Sequence, residues 1–171
     1  KTIVLDKTGT LTEGKPKVTD VISYDDNLLN VAYSLEYYSE HPLSNAITSY
    51  CESKNVKLLN VSNFTSLEGK GLKGMINDEY YYAGNLKLIK ELKLDNEELI
   101  QLYDKLSFEC KTPLIFASSK KILGIIAVSD MLKSSSKGAI QELKKLGIET
   151  IMLTGDNENI ASLVAKQVGI D

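Results

Sequence analysis

Apolar positions along the chain follow two rhythms. Short continuous runs bounded by turn residues read as strands, and stripes spaced by three and four read as helices. Thr2-Ile3-Val4-Leu5, ending at Asp6, is an apolar run that predicts a buried strand, and the polar stretch Thr12 to Pro16 after it reads as a hinge. Leu28, Val31, Ala32 and Leu35 share one helical face within 27–40, and Leu43, Ala46, Ile47, Tyr50 and Cys51 share another within 43–54, with Pro42 between them. Residues 56–83 read as strands broken by turns at Gly69-Lys70-Gly71 and Asn77-Asp78-Glu79, the pattern of antiparallel hairpins. Helices over 86–92 and 96–109 follow, then strands over 113–117 and 121–129 joined by Ser118-Ser119-Lys120.

The last stretch changes style. Ser135 or Ser136 can cap a helix running to Leu146, with Ala139, Ile140, Leu143 and Leu146 inward and Gly147 as its left-handed stop. Ile148 to Leu153 predicts a strand ending at Thr154-Gly155-Asp156, and Asn157 can cap a final helix that stops at Gly169. That strand–helix–strand order suggests a parallel sheet. The chain thus predicts a parallel α/β domain from residues 1–15 and 126–171, interrupted by an antiparallel α+β domain over 16–125.

Composition narrows the classes. The 171 residues are 43% hydrophobic, ample for a packed core in one domain or two small ones. The net charge of −3 and the lack of a basic block argue against a nucleic-acid partner. The longest apolar run, Ile122 to Val128, is far short of the ~18 residues of a membrane span. Cys51 and Cys110 lie far apart with no metal-ligand spacing, which reads as two thiols in a reducing compartment. Lys1 already stands at the start of a strand, so a piece of a longer protein is expected, monomeric on its own.

The chemistry gathers at two places. Asp6-Lys7-Thr8-Gly9-Thr10-Leu11-Thr12 puts a carboxylate at the carboxyl end of a strand, the edge of an α/β sheet where ligands bind. A carboxylate there can act as a covalent nucleophile toward phosphorus. Phosphoryl transfer also asks for a metal and for donors to the phosphoryl oxygens. Thr154-Gly155-Asp156, between a strand and a helix, can turn a hydroxyl and backbone N–H groups toward an anion. Asp130, after the strand ending at Ser129, is either a further member of that site or a helix cap. The second place is Ser39-Glu40-His41-Pro42-Leu43, between two helices, which holds the single His; Pro42 fixes a geometry that can aim the imidazole. Gly69-Lys70-Gly71 and Gly84-Asn85 read by themselves as turns, and Tyr80 to Tyr82 as packing.

The string from Asp6 to Thr12 resembles the phosphorylation loop of P-type ATPases, ion pumps that pass through an aspartyl phosphate. Thr154-Gly155-Asp156 resembles the phosphate-binding segment of the haloacid-dehalogenase-like fold to which those pumps belong. The resemblance implies a Rossmann-like α/β phosphorylation domain, truncated, with an inserted antiparallel nucleotide-binding domain. It makes Asp6 the phosphorylated nucleophile among Lys7, Thr8, Asp130, Thr154, Gly155 and Asp156, and places Mg²⁺ on the Asp6 carboxylate and the Thr8 carbonyl. Ser-Glu-His-Pro-Leu resembles the signature of the heavy-metal branch. There His41 contacts the adenine of ATP, Glu36 faces the nucleotide, and Pro42, Gly69, Gly71, Gly84 and Asn85 belong to the same site.

Two departures carry meaning. Hydrolases of the wider family have a second Asp two residues after the nucleophile; Thr8 stands there and cannot serve as a carboxylate base, so the acyl phosphate should persist, as a pump requires. Asp130-Met131-Leu132-Lys133 matches the family's Asp-x-x-Lys, followed by Ser134 where Pro is usual. The pattern's Gly-Asp-Gly-x-Asn-Asp segment and its upstream Lys do not follow, so this piece is expected to bind ATP and to phosphorylate poorly or not at all. Thr12-Glu13-Gly14-Lys15-Pro16 looks more like copper exporters than zinc or cadmium pumps. The implied protein is a membrane pump that exports a heavy-metal cation, here Cu(I), with this piece as a soluble cytoplasmic unit serving its transmembrane and actuator domains. A soluble phosphatase of the same fold, a zinc or cadmium pump, and a non-catalytic nucleotide sensor are the alternatives.

Overall fold

The computed structural model describes residues 1–155 and 158–170. Two sheets organise them. Strands β1 (Thr2–Asp6) and β8 (Glu149–Leu153) pair in parallel, from Thr2 against Glu149 to Asp6 against Leu153. Helices α5 (Ser136–Lys145) and α6 (Glu158–Val168) supply their core, in which Leu11, Ile140, Val168 and Ile170 are buried and Leu5, Leu143 and Met152 pack against them. The expectation of a fully buried first strand needs correcting. Val4 is 60% exposed and Leu153 62%, because among the described residues only one face of this sheet is covered. Leu146, expected inward, is 74% exposed, since α5 ends at Lys145 and leaves it beyond the last turn.

The second sheet is six-stranded and antiparallel, in the order β2-β7-β6-β5-β4-β3. Its strands are β2 (Lys17–Ser23), β3 (Ser62–Leu67), β4 (Gly71–Ile76), β5 (Glu79–Gly84), β6 (Thr112–Ser118) and β7 (Ile122–Ser129). Helices α1 (Leu28–Glu36) and α2 (Pro42–Ser53) bury Leu28, Val31, Leu35 and Ile47 with Phe116, Ile126 and Val128. Helices α3 (Leu86–Glu91) and α4 (Glu97–Phe108) bury Ile89, Leu99 and Leu106 with Ile115, Ile125 and Ala127. The alternation of β7 therefore feeds two cores, which is why its sequence reads as one unbroken apolar run. Local chemistry sets the helix starts: the Asn96 side chain accepts from the Leu99 N–H, and Glu97 and Glu98 occupy the positive end of α4.

Residues 126–129 continue β7, pairing with β2 and β6, so a boundary between 125 and 126 would split a strand. The two lobes are joined by the segments on either side of an isolated antiparallel bridge between Thr12 and Leu132. Among the described residues no helix is long and apolar enough to cross a membrane.

Candidate functional site

The parallel pairing decides what meets Asp6. Because Asp6 lies opposite Leu153, the next residues along each strand, Lys7 and Thr154, leave the sheet side by side. The chain at Lys7–Leu11 coils tightly, with Thr8 extended (φ −74°, ψ 122°) and Gly9 left-handed (φ 77°), a conformation glycine adopts without cost. Asp6 and Thr8 are exposed, Thr154 is half-buried, and Gly155 is exposed. Asp156 lies outside the described residues, as does Asn157.

The loop is held from behind by Thr12, Asp130, Lys133 and Ser136. The buried Thr12 hydroxyl accepts from the Gly9 N–H at 3.1 Å and donates to Asp130 Oδ2 at 2.5 Å. Asp130 Oδ1 accepts from the Lys15 N–H at 3.2 Å. Lys133 Nζ donates to the Gly9 carbonyl at 2.7 Å, and the Ser136 hydroxyl to the Leu11 carbonyl at 2.7 Å. Asp130 therefore ties the two connecting segments together and caps no helix. Lys133 is the Lys of the Asp-x-x-Lys match, and its contact with Gly9 is new; nothing in the sequence singled out Ser136 beyond a possible cap.

A cavity of about 390 Å³ opens in the inserted lobe. Glu36, His41, Gly69, Gly71, Gly84 and Asn85 all line it, and Pro42 lies outside its wall. Helix α1 ends at Glu36, and α2 begins at Pro42, whose fixed φ suits a first helical position. His41 caps α2: its Nδ1 accepts from the Leu43 N–H at 3.2 Å. An imidazole that accepts through Nδ1 carries its proton on Nε2, which leaves the outer nitrogen as a donor.

The glycines form the opposite wall. Gly71 and Gly84 face each other in register across β4 and β5. A Cβ on Gly71 would lie 1.9 Å from the Ala83 carbonyl oxygen, and one on Gly84 2.2 Å from the Lys70 oxygen. Close approach of two backbones explains both residues without any ligand. Gly69, by contrast, has open space around it and a φ of +66°, as a turn needs. Asn85 donates to the Gly69 carbonyl at 2.9 Å and accepts from the Leu88 N–H at 3.2 Å, so it pins this turn to α3.

Glu36 is the unusual group. It is 3% exposed, and the Ser44 hydroxyl donates to its Oε2 at 2.5 Å. Burial pushes its carboxyl up to about 7, with the Ser44 hydrogen bond working against that rise.

A second cleft, of about 500 Å³, lies between the lobes. Lys7, Thr8, Thr12 and Asp130 line one side, and His41, Pro42 and Lys111 the other. His41, Leu43 and Thr112 belong to both the cavity and the cleft, so the two spaces meet at the cap of α2. Among the described residues no three His, Cys, Asp or Glu side chains form a metal-binding group. Asp6 and Thr8 are exposed residues, and a carboxylate with a backbone carbonyl is a hard-oxygen set that could hold Mg²⁺, which keeps several waters and shares substrate phosphates.

Comparisons with known proteins fit this layout. Residues 1–171 match the family model described as "Hydrolase: haloacid dehalogenase-like hydrolase". The chain is 43% identical over 170 residues to a copper-exporting P-type ATPase of Staphylococcus haemolyticus, covering 99% of this chain and 21% of that protein. It is 44% identical over 180 residues to a probable cadmium-transporting ATPase of Alkalihalophilus pseudofirmus, covering 99% of this chain and 25% of that one. A zinc-transporting PIB-type ATPase crystallised in its E2.Pi state superposes with a TM-score of 0.78 at 29% identity, over 99% of this chain and 28% of that one. The chain thus spans between a fifth and a quarter of the length of the relatives it matches. By its sequence it belongs to the haloacid dehalogenase-like hydrolases, and its two lobes have the fold of the catalytic region of heavy-metal P-type ATPases.

Proposed function

We propose that this chain is the ATP-binding and phosphorylated unit of a heavy-metal pump, with the base in the 390 Å³ cavity and the γ-phosphate directed into the cleft beside Asp6. The observation that carries the reading is the shared wall of the two spaces at His41, Leu43 and Thr112. A ligand with an apolar base at one end and phosphates at the other could run from cavity to cleft over the cap of α2. His41 offers Nε2–H at the mouth of the cavity, Glu36 offers a carboxyl oxygen, and the Gly69 turn leaves room for close approach.

In the reaction, an Asp6 carboxylate oxygen attacks the γ-phosphorus while the bond to the β–γ bridging oxygen breaks. ADP leaves with that electron pair, and an acyl phosphate remains on Asp6. The Thr154 hydroxyl and the backbone N–H of Gly155 would donate to the phosphoryl oxygens, with Asp156 as a further member of that segment. Mg²⁺, which the Asp6 carboxylate and Thr8 carbonyl would hold, supplies charge neutralisation at the phosphate. Thr8 leaves position two of the loop without a carboxylate base, which protects the acyl phosphate from rapid hydrolysis.

We propose a domain division that follows the sheets, with the insert running from about residue 16 through the end of β7 and the phosphorylation domain on either side of it. In the whole protein this unit would serve a membrane-embedded transport path from the cytoplasmic side. Copper is proposed as the ion on the Thr12-Glu13-Gly14-Lys15-Pro16 stretch; copper and cadmium relatives match almost equally well.

Isothermal titration of this chain with ATP, beside His41→Gln, tests the nucleotide site. Saturable binding that the substitution weakens supports it, and absence of binding by the folded chain refutes it. Radiolabelled phosphate from ATP retained by the full-length protein and lost in Asp6→Asn tests the nucleophile. Phosphorylation that responds to Cu(I) or Ag(I) supports copper, and a response only to Zn²⁺ or Cd²⁺ refutes it.

A further inference from the structure

Glu36 and Ser44 form a buried pair on the wall of the cavity, 3% and 2% exposed, one at the end of α1 and the other in the first turn of α2. Ser44 Oγ donates to Oε2 at 2.5 Å. The other carboxyl oxygen, Oε1, is buried and has no hydrogen-bond partner among the described residues. Such an atom is costly to leave unmatched, and a donor brought by a ligand removes that cost.

Resting on the reading of this cavity as a nucleotide-base site, we propose that Ser44 is a positioning residue: it fixes the Glu36 carboxyl through Oε2, so that Oε1 is left to accept from the exocyclic amino group of a 6-aminopurine. A carboxyl held at one oxygen cannot rotate freely about its last bond, so the second oxygen is aimed before the ligand arrives. Pro42 and His41 fix the start of α2, and hence the place of Ser44 within it.

The pair works in a defined electrostatic setting. His41 faces it from the cap of α2 and Cys51 from within that helix, Glu68 and Lys70 from the turn between β3 and β4, and Tyr103 from α4. Lys70 is paired with Glu91 at 2.9 Å. The Ser44 hydrogen bond favours the ionised carboxyl against burial, so its removal pushes the carboxyl further up. Acceptance from an amino group through an ionised Oε1 then requires a higher pH.

The test is isothermal titration of the chain with ATP, and with the triphosphate of purine riboside, which lacks the 6-amino group, between about pH 6 and 8.5. Ser44→Ala, Glu36→Ala and the double variant are compared, with thermal melts confirming that each is folded. Ser44→Ala is expected to weaken ATP about tenfold, the effect of one charge-assisted hydrogen bond, and to move the pH dependence of binding upward. It should change purine riboside triphosphate binding much less, and should add nothing in the Glu36→Ala background. ATP binding by the parent with Ser44→Ala unchanged in affinity and pH profile overturns the proposal, as does an equal loss with and without Glu36. No ATP binding by the parent overturns the base-site reading itself, and this inference with it.

Discussion

Thr12 donates its hydroxyl to Asp130 Oδ2 at 2.5 Å, and so joins the two segments that connect the lobes. The Thr12 hydroxyl oxygen also accepts from the Gly9 N–H, which couples the connection to the loop that carries Asp6. A hinge that closes over a nucleotide would move about this link.

Thr12→Ala removes the link and leaves both the Gly9 N–H and one Asp130 oxygen short of a partner. Thr12 is 1% exposed, so water cannot replace the hydroxyl easily. A loss of about 2 kcal/mol in denaturant unfolding is expected. Faster amide exchange should be confined to residues 7–15 and 130–136. Uniformly faster exchange across the six-stranded sheet would show that Thr12 supports the fold at large and not the connection.

Glu36 makes stability depend on pH. Its folded carboxyl rises from the ordinary 4.5 to about 7, so the folded state holds the proton more tightly than the unfolded one. That contribution is complete below about pH 4.5, falls as pH rises, and is lost above about pH 7, by roughly 3 kcal/mol in total. Glu36→Gln cannot ionise, so its stability relative to the parent should climb by that amount across the same window. Parallel pH profiles of the two proteins in urea unfolding would refute the shift.

His41 both caps α2 and faces the cavity, and two substitutions separate these roles. His41→Asn keeps a side-chain acceptor for the Leu43 N–H, whereas His41→Ala removes it and should cost about 1 kcal/mol. Both lack the imidazole, so both should weaken ATP binding by a similar factor in titration calorimetry. ATP affinity that tracked stability instead would make His41 a structural cap alone.

The two kinds of cavity glycine should respond differently. Gly71→Ala and Gly84→Ala place a methyl group 1.9 and 2.2 Å from backbone oxygens and should destabilise the protein by about 3 kcal/mol or more, read from urea midpoints. Gly69→Ala meets open space and bears only the strain of a left-handed φ, about 1 kcal/mol. The order of the three losses checks the geometry.

Much of this was legible in the sequence because it is written locally. Asp6 to Thr12, Ser39 to Leu43 and Thr154 to Gly155 are continuous strings at the ends of elements, and the helices over 28–36, 42–53 and 97–108 carry unbroken apolar stripes. Strand β2 escaped because a bulge between Val18 and Asp20 breaks its alternation, leaving no period to count. A strand buried on both faces, such as β7, carries no mark in the sequence of where one lobe stops.

What only the tertiary structure decided are properties that belong to pairs of distant residues. Asp130 looked like a member of the phosphoryl site or a helix cap, and became a tie between connecting segments only when Thr12 and Lys15 came beside it. Glu36 was named by resemblance, yet its burial, its raised carboxyl and its union with Ser44 come from two helix ends packed on one sheet. The meeting of cavity and cleft at His41 likewise depends on how the lobes are set. A motif fixes which atoms are offered; their desolvation and pairing depend on what the rest of the chain brings within hydrogen-bond reach.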